Sequence, residues 1–126
     1  MKTAVWILGL IAVLFLLWQQ KTRGAESAEQ AWAWIGRGAL VIDVRTEAEF
    51  RAGHLEGALN IPFEQVDRLV KAIGEDKNRE VVVYCRSGRR SGLARQSLMQ
   101  KGYAQVFNGG GIASLLATKP SDKTSN

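Results

Sequence analysis

Apolar residues fall along this chain in three rhythms. From Ala4 to Trp18 they form one unbroken run, AVWILGLIAVLFLLW, fifteen residues without a charge or a strongly polar group. From about Ala25 to Thr118 they alternate between short compact runs and helix-spaced sets. From Lys119 to Asn126 the chain is polar and reads as a disordered tail.

The middle stretch resolves into elements. Ser27 followed by Gln30 is a capping box, and the helix it predicts places Ala28, Ala31, Trp32 and Ile35 on one face before Gly36 and Gly38 stop it. Leu40–Val44 reads as a short buried strand. Thr46 with Glu49 forms a second capping box, opening a brief helix that ends at Gly53. A turn at His54–Gly57 leads to a strand over Ala58–Ile61, closed by Pro62. Val66, Leu69, Val70 and Ile73 have helical spacing within Phe63–Ile73, with Gly74 at the C-terminus. Val81–Tyr84 is the clearest buried strand and runs straight into Cys85. Ser91–Lys101 reads as a helix with Leu93, Ala94, Ser97 and Leu98 inward, and Val106–Phe107 as a last strand. After Asn108-Gly109-Gly110-Gly111 a short helix extends to about Ala117. Strands alternating with helices predict parallel βαβ units: an α/β domain with helices on both faces of the sheet, in three layers. In such folds the active site lies at the C-terminal ends of the strands, where Cys85 and the Asp43–Arg45 stretch fall.

The N-terminal run lies between two classes. A membrane-spanning helix needs about 17–25 apolar residues and a signal-peptide core about 7–15. Trp6 and Trp18 near its ends, and Gln19, Gln20, Lys21 and Arg23 beyond it, favour a retained membrane anchor over residues 1–24. A cleaved signal is the alternative, although Thr22-Arg23-Gly24 is a poor cleavage site. A buried core helix does not fit, because the run is apolar on every face. Lys2 inside would send the domain out of the cytoplasm, while Lys21 and Arg23 pull the other way; the extracytoplasmic side is expected.

Residues 25–118 suffice for one core and one domain, expected to be monomeric. The net charge of +5 admits nucleic acid, an anionic surface or an anionic small substrate. Three arginines, Arg86, Arg89 and Arg90, crowd beside the only cysteine, and no basic stripe interleaved with aromatics exists, so nucleic acid is not expected. One cysteine makes neither a disulfide nor a dithiol pair. With only Cys85 and His54 as soft ligands no metal is expected, nor is any cofactor; Trp32 and Trp34 read as packing.

The segment Cys85-Arg86-Ser87-Gly88-Arg89-Arg90-Ser91 joins a strand to a helix. Unpartnered amides and the positive dipole end of a helix favour a thiolate over a thiol, and a loop curled ahead of it adds further amides. The three guanidiniums act in the same sense. Cys85 is therefore predicted to have a lowered pKa, to be nucleophilic, and to open onto a bowl able to hold a terminal persulfide anion. Gly88 supplies the conformational freedom the curl requires. A lone cysteine ending a buried strand is more often a small hydrophobe, but an inert residue has no use for an arginine rim.

Together, Asp43-Val44-Arg45, Glu49-Phe50, Gly53-His54-Leu55-Glu56-Gly57-Ala58-Leu59-Asn60-Ile61-Pro62, the Cys85–Ser91 loop, Lys101-Gly102-Tyr103 and Asn108-Gly109-Gly110-Gly111 resemble the single-domain rhodanese family. The resemblance implies a rhodanese-like domain with a parallel sheet of four or five strands; the short stretch before Leu40 shows no extra strand and points to four. Ping-pong sulfur transfer is implied as well. Cys85 would take the outer sulfur of thiosulfate or a similar donor, release sulfite, and pass the sulfur to cyanide or a thiol. Arg86, Ser87, Gly88, Arg89, Arg90 and Ser91 would cradle the substrate, with Arg90 inside the loop and Arg86 or Arg89 at the rim. Asp43 and Arg45 would be scaffold, with Glu49 a partner for Arg45, and His54 structural rather than a general base. In size and apolar N-terminus the chain is similar to periplasmic members of the family.

Two rivals stand beside this reading. Cysteine-based phosphatases and arsenate reductases need an arginine six positions after the cysteine, where this chain has Ser91, with Arg90 one position early. A rhodanese-fold module that binds a partner or relays sulfur without turnover would keep the same arginine rim.

Overall fold

A computed structural model describes the backbone of residues 2–121, and side chains from Val5 to Gln19 and from Ser27 to Ser121. The elements run α1 (Lys2–Gly36), β1 (Leu40–Asp43), α2 (Glu47–Ala52), β2 (Leu59–Asn60), α3 (Val66–Ile73), β3 (Val81–Cys85), α4 (Arg89–Gln100), β4 (Val106–Gly111) and α5 (Ile112–Ala117). The strands form one parallel four-stranded sheet in the order β2-β1-β3-β4. This is the α/β architecture expected, with four strands; among the described residues none precedes β1.

The alternation of side chains across a strand divides the core in two. Val81, Val83 and Cys85 join Leu69, Ile73, Ala94 and Leu98 in the layer under α3 and α4. Val82 and Tyr84 face the other way, toward Ala28 and Ala31 of α1 and Leu115 of α5. Cys85 thus points to the face covered by α4, and the chain must turn straight from the sulfur into that helix.

The last strand, expected over Val106–Phe107, runs on to Gly111, because the glycines let it pair with β3 as far as Cys85. Four further sequence expectations change. Ser27 does not open a helix, because α1 runs through it and the preceding turn supplies the carbonyls a cap would replace. Helix α3 begins at Val66, after a turn at Phe63–Glu64. Helix α4 begins at Arg89, placing Arg89 and Arg90 in its first turn. Leu93 is 43% exposed, and the inward face of α4 is Ser91, Ala94 and Leu98.

The N-terminal run is helical, and its large apolar side chains from Val5 to Trp18 lie 53–81% exposed. No helix among the described residues is long and apolar enough to cross a membrane. Fifteen apolar residues at about 1.5 Å each reach roughly 22 Å, against a hydrocarbon core of about 30 Å. The expected membrane anchor therefore finds no support in these residues. Part of the polar tail, 122–126, lies outside the described residues.

Candidate active site

The C-terminal ends of β1, β3 and β4 meet at Cys85. Strand β3 pairs with β4 through Cys85 and Gly111 after a register shift between Val83 and Cys85. The chain then reverses through Gly88, whose φ of 92° lies in the left-handed region where glycine alone is unstrained, and enters α4.

That reversal aims donors at the sulfur. The amide of Gly88 stands 3.0 Å from Sγ, the amide of Ser91 3.5 Å and the Ser91 hydroxyl 3.4 Å. Burial is the largest single influence on the thiol and pushes its pKa up. The Ser91 hydroxyl, followed by the amides of Ser91, Ser87 and Gly88, outweighs that influence and leaves Cys85 below the ordinary thiol value. The lowered pKa expected from the sequence is present, and hydrogen bonds to the charged form are its cause.

The open bowl is not. Cys85 has no exposed surface and packs in the core layer beneath α4. The sulfur lies at the floor of the loop, with its polar side turned to the amides and the rest of it in hydrocarbon.

The arginines divide into two kinds. Arg90 donates through Nη1 and Nη2 to the two carboxylate oxygens of Glu49, at 2.7 and 2.9 Å. That bidentate pair holds Glu49 down at about 2, well below the usual carboxylate range. Arg86 and Arg89 lie exposed at the rim, with no ion pair among the described residues. Ser87 is exposed and Gly88 half-buried between them.

Asp43 and Arg45 are hydrogen-bonded to each other. Arg45 Nε donates to both Asp43 carboxylate oxygens at 2.9 and 3.0 Å, Nη2 donates to Oδ2 at 2.6 Å, and the Arg45 amide donates to Oδ1 at 3.0 Å. Nη2 also donates to the carbonyl of Gly53, tying the end of β1 to the end of α2. Glu49 is not Arg45's hydrogen-bond partner; it serves Arg90 and, in the capping box, Thr46. His54 stacks on Phe50 with ring centroids 3.6 Å apart, its Nδ1 is 2.8 Å from the Phe50 carbonyl, and it makes no hydrogen bond to the sulfur.

Sequence reasoning assigned Asn108 no role. Its side chain bridges the loop, accepting from the Ser91 hydroxyl at 2.7 Å and donating to the Gly88 carbonyl at 2.9 Å. A lone amide side chain set between an apolar pair and three glycines was the available signal. Gly111 completes the support: a Cβ there would lie 2.5 Å from the Arg86 carbonyl oxygen, so loop and strand touch backbone to backbone.

No group of acidic, His and Cys side chains among the described residues could hold a metal ion. A cysteine sulfur cradled by loop amides at the end of a parallel strand defines a class of protein that handles sulfur or an oxyanion at that atom. Known proteins narrow the class. A family model described as the rhodanese-like domain matches residues 27–116, and the chain belongs to that family. It is 40% identical over 78 residues to the thiosulfate sulfurtransferase PspE of Escherichia coli K12, covering 62% of this chain and 75% of that one. It is 45% identical over 76 residues to a sulfurtransferase of Allochromatium vinosum, covering 59% and 69%. A solved structure of a rhodanese with anions from E. coli superposes with a TM-score of 0.58 at 41% identity, over 61% of this chain and 91% of that one. These relatives support sulfur transfer in general as the activity.

Proposed function

We propose that the chain moves a sulfane sulfur from thiosulfate, or a similar anionic donor, to a thiophilic acceptor by way of a Cys85 persulfide. The single observation that carries the proposal is the set of donors converging on Sγ from Gly88 and Ser91. In the first step the Cys85 thiolate attacks the outer sulfur of thiosulfate. A bond forms between Sγ and that sulfur, the bond within thiosulfate breaks, and sulfite leaves with the electron pair. The persulfide then carries its charge on the outer sulfur, within reach of the helix dipole and the loop amides. In the second step cyanide or a thiolate attacks the outer sulfur, and Sγ departs as thiolate.

Intact-mass analysis after thiosulfate treatment tests this. The wild-type chain gains the mass of one sulfur, cyanide removes it, and Cys85→Ser gains nothing. An unmodified wild type, or an equal gain in the mutant, overturns the proposal.

The complete cover over Cys85 favours one second reading: a relay module that accepts sulfur only from a partner able to open the loop. Persulfide formed by a donor protein but not by thiosulfate identifies that case. An extracytoplasmic location, resting on the charged head before the apolar run, belongs to the same proposal, and fractionation of cells expressing the full chain decides it.

A further inference from the structure

The Ser91 hydroxyl has one hydrogen and stands between two acceptors. Its oxygen is 2.7 Å from Asn108 Oδ1 and 3.4 Å from Cys85 Sγ. The amide of Asn108 cannot turn over to relieve this. Its Nδ2 donates to the Gly88 carbonyl at 2.9 Å, and its Oδ1 accepts from the Gly110 amide at 3.0 Å. A flipped side chain would set oxygen against oxygen and N–H against N–H. Asn108 Oδ1 is thus fixed as an acceptor. Ser91 is fully buried, so its hydrogen goes to the amide oxygen or to the sulfur.

We infer that Asn108 is a positioning residue that competes with Cys85 for the Ser91 hydrogen and so ties the Ser91–sulfur hydrogen bond to the charge on Sγ. For the transfer steps the inference rests on the persulfide reading above; for the resting thiol it does not. While Sγ is a neutral thiol, the shorter bond to Asn108 holds the hydroxyl and Ser91 turns a lone pair toward the sulfur. Once Sγ is a thiolate it is the ionic acceptor, which binds a hydroxyl more strongly than a neutral amide does, and the O–H rotates to it. No covalent bond changes in this motion.

In the persulfide the charge moves to the outer sulfur, and the hydroxyl returns to Asn108. When an acceptor draws that sulfur away, the electron pair falls back on Sγ and the hydroxyl swings to meet it. The hydrogen bond is therefore available to the leaving thiolate at the moment charge develops there. The charged groups around Sγ do not compete for this hydrogen. Arg90 of α4 is held by Glu49 of α2, and Asp43 of β1 is held by Arg45.

Titration of Cys85 in a double-mutant cycle separates this role from mere support of the loop. The pKa is read from the pH dependence of iodoacetamide alkylation and from thiolate ultraviolet absorbance, in wild type, Asn108→Leu, Ser91→Ala and the double mutant. Removing the competitor lowers the Cys85 pKa by about half a unit to one unit when Ser91 is present, and leaves it unmoved when residue 91 is alanine. Asn108→Asp covers the case in which the leucine variant does not fold. It raises the pKa further with Ser91 present than with alanine, by the excess owed to a stronger acceptor. Shifts equal in the two Ser91 backgrounds, or a rise in pKa for Asn108→Leu, overturn the inference. No sulfur donor enters the titration, so its failure is distinct from a failure to load thiosulfate.

Discussion

Arg90 lies next to the sulfur in sequence terms and yet spends its guanidinium on Glu49, 41 positions away, through two parallel hydrogen bonds. The pair closes α2 onto the first turn of α4 and fixes the rim of the loop. It also divides the arginines: one braces, while Arg86 and Arg89 form no ion pair among the described residues.

Replacing Glu49 tests the brace through its pH signature. The Arg90 hydrogen bond lowers the folded-state pKa to about 2, well below the ordinary glutamate value near 4.5. A depressed carboxylate stabilises the fold in full above its unfolded value and loses that contribution as pH falls toward the folded one. Glu49→Gln is expected to cost about 1 kcal/mol at neutral pH, since the pair is partly exposed. Acid unfolding followed by circular dichroism then shows a shallower loss between those two values in the mutant than in the wild type.

Arg86→Ala and Arg89→Ala each remove an exposed charge that forms no ion pair among the described residues. Initial rates against thiosulfate concentration are expected to show KM raised about two- to fivefold with kcat little changed, as befits solvent-exposed charge. The effect shrinks at high ionic strength. A fall in kcat alone would place these side chains elsewhere in the cycle.

Gly111→Ala puts a methyl group 2.5 Å from the Arg86 carbonyl oxygen, and the obstacle is backbone that cannot swing aside. Loss of about 1–3 kcal/mol in urea unfolding is expected, together with a raised Cys85 pKa as the loop amides are pushed off the sulfur. Gly110→Ala meets open space but sits at φ +84°, so its cost comes from strain alone.

Asp43→Ala leaves the guanidinium of Arg45 almost fully buried with the Gly53 carbonyl as its remaining hydrogen-bond acceptor. Breaking a buried pair in this way costs about 3–5 kcal/mol. Urea denaturation reads the loss directly, and Asp43→Asn, which keeps an acceptor, is expected to lose less.

The sheet was legible because its two central strands, Leu40–Asp43 and Val81–Cys85, are compact and largely apolar runs, whereas Leu59–Asn60 and the glycine-rich end of Val106–Gly111 carry little strand signal. The cradle was legible because a cysteine at the end of such a strand, followed by glycine and then a helix, leaves few places for the amides to point. What escaped was set by contacts remote in sequence. Leu93 fits a helical inward stripe, but the face of α4 is fixed by Ser91 reaching back to Cys85, and that rotates Leu93 into solvent. Glu49 and Arg90 share no periodicity, so local pattern could pair Glu49 with Arg45 as readily. Ser27 carries a sound capping signature, overruled because the chain before it was already helical.

Cys85 presents no surface to solvent, and this makes size a criterion of reactivity. A slender anion needs the loop to part only slightly, whereas glutathione or a bulky maleimide needs it to open. If the persulfide forms as proposed, the cover that slows a large reagent's approach to Sγ also slows its approach to the bond that holds the stored sulfur.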